Sequence, residues 1–584
     1  MLWARDSIPA MKFSTRLFKI PKTIILFLSM FLSLSSAWAL DLPEVLVTTS
    51  PVTPGTILLG EKEIQDAPGF GIANLLQWSG EVDVERKGDS QADLSMRAST
   101  FEQTGLMVDG FPVNDPQTGH FNLDMLLPIE NIKAVEISPV PWGSRGLAGS
   151  INLVPQAPTA TKASLSTSYG SFNTTRSALN AGLPSADIWG GYSHSDGYRQ
   201  DTDSLVRNAG VLTAFDDPIH SRLLFSYTDR KFGANDFYGN YPKYDEWEST
   251  ENYLATWRGD CNGTLGRLEP GFYWRKHTDH FELDRYRPSF YENFHTTQVG
   301  GTDTRWTYMH LRGDLFGKGE WLESSSLGKR NRSSAGASGL WEESFGSAGL
   351  ECSALGEGRW EVCPILTAEA HPSESLRFDL SASRAFREAS FTELYYTDPQ
   401  DIGNPHLAPE NAWDFRISPQ WNNRKWSAKA DGFVRAERDL IDWVRADAAQ
   451  PWRSMNIGKA TAKGAGTRFG WNEDAVHIQA DYDYLYRDAD LGGLLSKYAL
   501  HFPRHKVTLR GYGDFGKFSW SISWSRCLRT DKQLYTLVEG KISYRVKRGS
   551  LYVSVLNALD ADYQEVGGVP MPGRSFEGGV NVTF

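Results

Sequence analysis

Met96-Arg97-Ala98-Ser99, Leu106-Met107-Val108-Asp109-Gly110, Asn114-Asp115-Pro116-Gln117-Thr118-Gly119-His120, Ile129-Glu130-Asn131-Ile132-Lys133-Ala134-Val135-Glu136-Ile137 and Trp142-Gly143-Ser144-Arg145-Gly146-Leu147-Ala148-Gly149-Ser150-Ile151-Asn152-Leu153-Val154 follow one another between positions 96 and 154. Leu106–Val108 is a short apolar strand, and Asp109-Gly110 is a strong turn dipeptide that opens a hairpin. Ile132–Ile137 alternates as a strand should. The Gly/Ser/Arg segment after it leads into another short strand, Ser150–Val154. The stretch therefore predicts a small mixed α/β unit.

The order and spacing of these elements resemble the plug domain of TonB-dependent outer-membrane receptors, with Arg97, Asp109, Gly110, Asp115, Arg145 and Gly149 at motif positions. Three departures stand out. The family's Arg-Gly is Arg97-Ala98 here, its Arg-Gly-Pro is Ser138-Pro139 before Val140-Pro141, and its Gly-Gly is Gly149-Ser150. Alanine at 98 carries a steric cost if that position needs a positive φ.

Composition agrees with a membrane barrel. Mean hydropathy is −0.41 with 12% aromatics and 54 glycines, and no stretch after the N-terminus reaches the ~18 apolar residues of a spanning helix. Such a mixture suits strands that alternate lipid-facing and lumen-facing residues. Met11–Ala39 reads as a secretory signal, with Lys12, Arg16, Lys19 and Lys22 before the apolar Ile24–Leu34 and a small-x-small site at Ala37-Trp38-Ala39. Met11 is an alternative start to Met1. The presequence, 1–39, carries five basic residues and one acidic one, so its removal takes the net charge from −11 to −15. A chain this acidic argues against a nucleic-acid partner.

Residues 40–51 follow the signal. The extended, β-prone Glu44-Val45-Leu46-Val47-Thr48 between Pro43 and Pro51 suits strand addition to a partner's sheet edge. By position and pattern it resembles the TonB box, which implies TonB and its inner-membrane energising complex as partners. In the plug, 52–156, a helix is expected over Gln65–Trp78, ending at Ser79-Gly80, and a strand over Val82–Arg86. Gln156–Thr161 links plug to barrel. From Lys162 on, alternating segments such as Leu223–Tyr227, Phe378–Ser383, Val476–Leu485, His505–Tyr512 and Leu551–Val555 are separated by turn clusters such as Phe215-Asp216-Asp217-Pro218. The roughly 420 remaining residues hold about 20–22 strands of ~9–11 residues with connections of similar length. The resemblance implies 22.

Two more stretches resemble the same family. Ala385-Phe386-Arg387-Glu388-Ala389-Ser390-Phe391-Thr392-Glu393-Leu394-Tyr395 with Gly403-Asn404-Pro405-His406-Leu407-Ala408-Pro409-Glu410 looks like its mid-barrel strand and loop. Asn557–Tyr563 and Pro572-Gly573-Arg574 look like its closing segment. The terminal Phe584 is implied to be read by the barrel assembly machinery.

Phe232–Trp247 is irregular and rich in aromatics, which marks a binding loop. Asn235, Asp236, Phe237, Tyr238, Tyr241, Tyr244 and Trp247 are its ligand-contact candidates, and similar loops in cobalamin receptors of the family favour a corrinoid. An interfacial aromatic girdle is the other reading. Asp109, Asp115 and Asp124 approach the ligand from below or cap turns. Asp236, Asp245, Asp398 and Asp401 offer Ca²⁺ ligands if their loops converge. His277 and His280, three apart on a strand, face opposite ways, which argues against a shared metal with His295. A two-residue turn at Glu357-Gly358 would set Cys352 opposite Cys363, where a disulfide fits an oxidising compartment; two free thiols are the alternative. There is no G-x-S-x-G, Walker loop or H-E-x-x-H, so no catalytic residue is assigned.

The expectation is a membrane all-β protein: a 22-stranded antiparallel barrel, 162–584, with an N-terminal mixed α/β plug in its lumen, monomeric, surrounded by outer-membrane lipids. The resemblance implies TonB-dependent import of a scarce nutrient, a corrinoid first and a ferric siderophore second. A passive porin or adhesin with an unresponsive plug is the alternative from another class.

Overall fold

The computed structural model describes residues 55–584 except 70, 89, 125–126, 158–160, 216–218 and 239–243. The signal segment, Glu44–Thr48 and Tyr241 lie outside the described residues.

The N-terminal unit is built on a sheet of β1 (Ile57–Leu59), β4 (Gly105–Val108), β5 (Phe111–Pro112), β6 (Ile132–Ser138) and β7 (Ser150–Pro155), in the order β1-β6-β7-β4-β5. Its middle strands β6 and β7 are antiparallel, Ile137 opposite Ile151, while β7 and β4 run parallel. A hairpin of β2 (Val82–Arg86) and β3 (Ala92–Met96) stands beside it. Asp109 (φ 52°) and Gly110 (φ 78°) make the β4–β5 turn with both central residues left-handed, as a type I′ turn requires.

The expected single helix over Gln65–Trp78 is instead two, α1 (Glu61–Asp66) and α2 (Ile72–Ser79). Pro68 explains the break: it has no N–H to donate and biases the preceding residue away from helix. Ala67 is accordingly extended, with ψ 131°. Gly80, in the left-handed conformation, closes α2. Ile72, Leu75 and Leu76 form the i, i+3, i+4 stripe that α2 buries against Val82, Val108, Ile137, Ile151 and Leu153.

A closed barrel of 22 antiparallel strands surrounds this unit. It starts at Lys162–Gly170 and closes where Ser575–Thr583 pairs with that first strand, Val580 opposite Thr167. Side chains alternate as the sequence pattern demands. Along Gly271–Glu282, Tyr273, Arg275, His277 and Asp279 are buried, whereas Phe272 is 52% and Trp274 37% exposed on the outside. Phe576 and Val553 lie on the same apolar exterior. No helix among the described residues is long and apolar enough to cross a membrane.

One barrel end carries tight connections such as 264–265, 344–345 and 547–548. The other carries long ones, including 234–246, 283–291 and 388–409. Strands such as Trp452–Glu473, at 22 residues, rise well past the ~9–11 needed to cross and extend toward the long loops.

The cysteine register differs from the expected one. Gly356–Gly358 forms a three-residue turn, with the Leu355 N–H donating to the Arg359 carbonyl at 2.8 Å. Cys352 then opposes Val362, and Cys363 opposes Glu351. A one-residue slip sends the two thiols to opposite faces, and both are free.

Candidate functional site: a chamber between plug apex and long loops

The motif residues act first as an interface. Met96–Ser99 is a tight turn, with the Ser99 N–H donating to the Met96 carbonyl at 3.0 Å. Its central residues are Arg97 (φ 54°) and Ala98 (φ 57°), so Ala98 carries the strain expected of a non-glycine residue there. The Arg97 guanidinium lies 3.8 Å from the Phe433 ring centroid and 3.5 Å from Asp414, both on barrel strands, and it donates to the Pro139 carbonyl. Burial lowers its proton affinity, which Asp414 partly restores.

Asp109 accepts from Arg222 at 2.9 Å, and Arg145 reaches Asp314 at 2.5 Å. Asp115 meets Arg275 and His277, each at 2.9 Å. Burial would raise the Asp115 carboxyl, yet Arg275 and His277 hold it well below the ordinary range. Asp124 meets Arg230 at 3.3 Å, and the Gly110 carbonyl accepts from Arg305. Gly143 exchanges backbone hydrogen bonds with Arg384 and Phe386 of the barrel wall. Gly149, φ 121°, needs glycine because a Cβ would stand 2.5 Å from the Ser138 carbonyl oxygen. Of the three aspartates, Asp115 caps a turn, through the Gln117 N–H; all three dock on barrel arginines.

Above this interface lies a chamber of about 560 Å³. The plug supplies its floor through Phe101, Glu102, Thr118, His120 and Phe121. Strand ends and long loops supply the walls: Tyr238, Tyr244, Phe281, Phe290, Tyr291, Tyr396, Trp443 and Tyr498. Carboxyl groups of Glu246, Glu248, Asp279, Glu393, Asp398, Asp401 and Asp442 line it as well, against one lysine, Lys497. Aromatic contacts brace these walls: Phe101 stacks on His120 at 4.1 Å and meets Tyr498 edge-on at 5.1 Å, and Tyr244 stacks on Phe290 at 5.6 Å.

The floor is electrostatically set from below. His120 Nδ1 is 2.8 Å from Asp93, which also pairs with Lys87 at 3.3 Å. Burial alone would raise Asp93, but His120 and Lys87 hold it at about 2. Burial lowers His120 in spite of Asp93. Glu102 is pushed up to about 8, by burial first and the Glu393 carboxylate second, against the pull of Arg387.

Of the sequence-predicted loop residues, Tyr238 and Tyr244 reach the chamber. Asn235 and Asp236 accept from Arg199. Phe237 is buried on Phe232 and Ala234, and Trp247 meets His280 edge-on. Asp398 and Asp401 share a turn at the chamber wall, Asp401 pairing with Lys497 at 2.7 Å, while Asp245 accepts from Gln200 in another loop. His277 and His295 point inward and are buried, and His280 is only partly buried on the other face, as the spacing predicted. Leu283, Tyr286, Phe290 and Tyr291, one apolar and three ring residues in a nine-residue loop, were the available signal for the wall that sequence reading missed.

A plug filling a 22-stranded barrel beneath a loop-walled chamber defines an outer-membrane receptor. Residues 146–558 match the family described as TonB dependent receptor-like, beta-barrel, and residues 50–150 match the TonB-dependent Receptor Plug Domain. The chain belongs to the TonB-dependent receptor family. It is 26% identical over 200 residues to the Vitamin B12 transporter BtuB of Photobacterium profundum, a match spanning 33% of this chain and 32% of that one. Among solved structures it resembles the copper transporter OprC (TM-score 0.74, 15% identity, 92% of this chain and 99% of that one). It also resembles the ferric enterobactin receptor PfeA of Pseudomonas aeruginosa (TM-score 0.71, 15% identity, 92% and 100%). At such identities the likeness is one of fold.

Proposed function

We propose that this receptor imports a corrinoid across the outer membrane, driven by TonB acting on Glu44–Thr48. The chamber carries the reading. Rings of Phe101, Phe121, Tyr244, Phe290, Trp443 and Tyr498 offer apolar faces to a planar macrocycle. The carboxylates between them accept from the amide N–H groups that fringe a corrinoid. A trianionic ferric catecholate asks for clustered arginine or lysine, and Lys497, the single lining lysine, is already paired with Asp401.

Isothermal titration of the detergent-purified receptor with cyanocobalamin, with and without calcium, tests the ligand. Saturable binding with a Kd below about 1 µM supports it, and a calcium effect that is lost in Asp398→Asn/Asp401→Asn assigns those two carboxylates to an ion. Absence of corrinoid binding together with binding of a ferric siderophore overturns it. Deleting Leu42–Thr48 tests the coupling: binding persists and uptake stops in a TonB-driven importer, while a passive porin is unaffected.

A further inference from the structure

On the outside of the wall, away from the chamber, three side chains converge with no arginine or lysine paired to them among the described residues. Glu282 ends one barrel strand and Glu292 begins the next, directly opposite each other in the register. Two carboxylates at one cross-strand position repel and destabilise the pair. His280, two residues before Glu282 and on the same face, turns Nε2 to both, 3.2 Å from Glu292 and 3.6 Å from Glu282. A single ring nitrogen carries at most one proton, so it cannot satisfy both acceptors by hydrogen bonding. The imidazole is held in place by a stack on Phe294 at 4.1 Å and 15°, with Trp247 edge-on at 5.9 Å. One ligand atom from each of the three residues lies within 4.8 Å of the others.

We propose that His280, Glu282 and Glu292 bind a divalent cation of the zinc class, through one imidazole nitrogen and two carboxylate oxygens, with a fourth position open to water. Borderline cations accept this N/O donor set, and the cation removes the repulsion between the facing glutamates. The site closes the base of the loop 283–291, where the Leu283 N–H already donates to the Tyr291 carbonyl at 3.0 Å. Leu283, Phe290 and Tyr291 of that loop form part of the chamber wall. The metal therefore staples the two ends of a wall segment from outside.

The test uses tag-free, chelator-treated receptor in detergent and zinc chloride alone, so its outcome is independent of the chamber's ligand. Expected is one saturable zinc site with a Kd below about 10 µM. Affinity falls at least about tenfold in His280→Ala and in Glu282→Gln/Glu292→Gln, both still showing the heat-modifiable gel migration of an intact barrel. Zinc should also slow chymotryptic cleavage after Tyr286, which is 69% exposed, about threefold or more in the parent and not in the variants. No saturable zinc binding in the parent, or unchanged affinity in both variants, overturns the assignment.

Discussion

The belt where plug meets barrel and the chamber above it are both buried and polar, but they treat charge in opposite ways. In the belt many carboxylates have a guanidinium: Asp83 and Glu85 share Arg529, Glu81 has Arg468, Glu565 has Arg86, and Asp109, Asp115 and Asp124 have Arg222, Arg275 and Arg230. In the chamber Glu393 meets Arg387 and Asp401 meets Lys497, but Glu246, Glu248, Asp279 and Asp442 stand among aromatic rings with no ion pair among the described residues. Paired charges hold a domain by contacts that water can replace one at a time. Rings and unmatched carboxyls are what a ligand can complete. The difference separates docking from recognition.

The sharpest way to break the contrast is Arg529→Ala. It leaves Asp83 and Glu85, about one-sixth exposed, side by side without their partner, at a cost up to about 3–5 kcal/mol, the range for a fully buried pair. Hydrogen exchange should show faster opening of β2 and β3 while the barrel strands keep their protection. In the chamber, Tyr244→Ala removes a wall ring stacked on Phe290, a contact worth about 0.5–1.5 kcal/mol. The expected result is corrinoid affinity weakened up to about tenfold with plug protection unchanged.

Glu102 links the two regions. Its folded value of about 8 lies above the ordinary 4.5, so the folded state holds this proton more tightly than the unfolded chain. The stability it contributes is present in full below about 4.5 and is lost as pH rises toward 8. Thermal midpoints measured from pH 4.5 to 8.5 should fall less steeply in Glu102→Gln than in the parent. The smallest effect is expected outside both regions. Cys352→Ser should change stability by under about 0.5 kcal/mol, and thiol titration of the denatured, unreduced protein should report all four cysteines. A titre of two would restore the Cys352–Cys363 bridge.

Much of the fold is legible because its signals are local. Asp109-Gly110 specifies a left-handed turn, and alternation specifies strands. Long and short connections sort the barrel ends. Errors arose where one residue changes a count. Pro68 divides a helix whose apolar stripe reads as continuous, and a three-residue turn rather than a two-residue one reverses the Cys352 face. The chamber was legible only at Tyr238, Tyr244, Asp398 and Asp401, because its other walls come from positions hundreds of residues apart. Phe101, Phe290, Tyr396 and Tyr498 have no local pattern in common; barrel closure alone brings them together. The belt was hidden for the same reason: Asp115 reads as a turn residue until Arg275 and His277 are folded against it.

The turn at Arg97-Ala98 stores backbone strain in the seated plug. Seated, both residues hold a left-handed backbone, which costs Ala98 about 1–2 kcal/mol relative to a relaxed conformation. Contacts of Arg97 with Phe433 and Asp414 keep it there. Once a pull breaks those contacts, the turn is free to uncoil downhill, and reseating has to wind it again. Any process that unseats this turn would therefore meet less resistance than with a glycine there, and reseating it would cost correspondingly more.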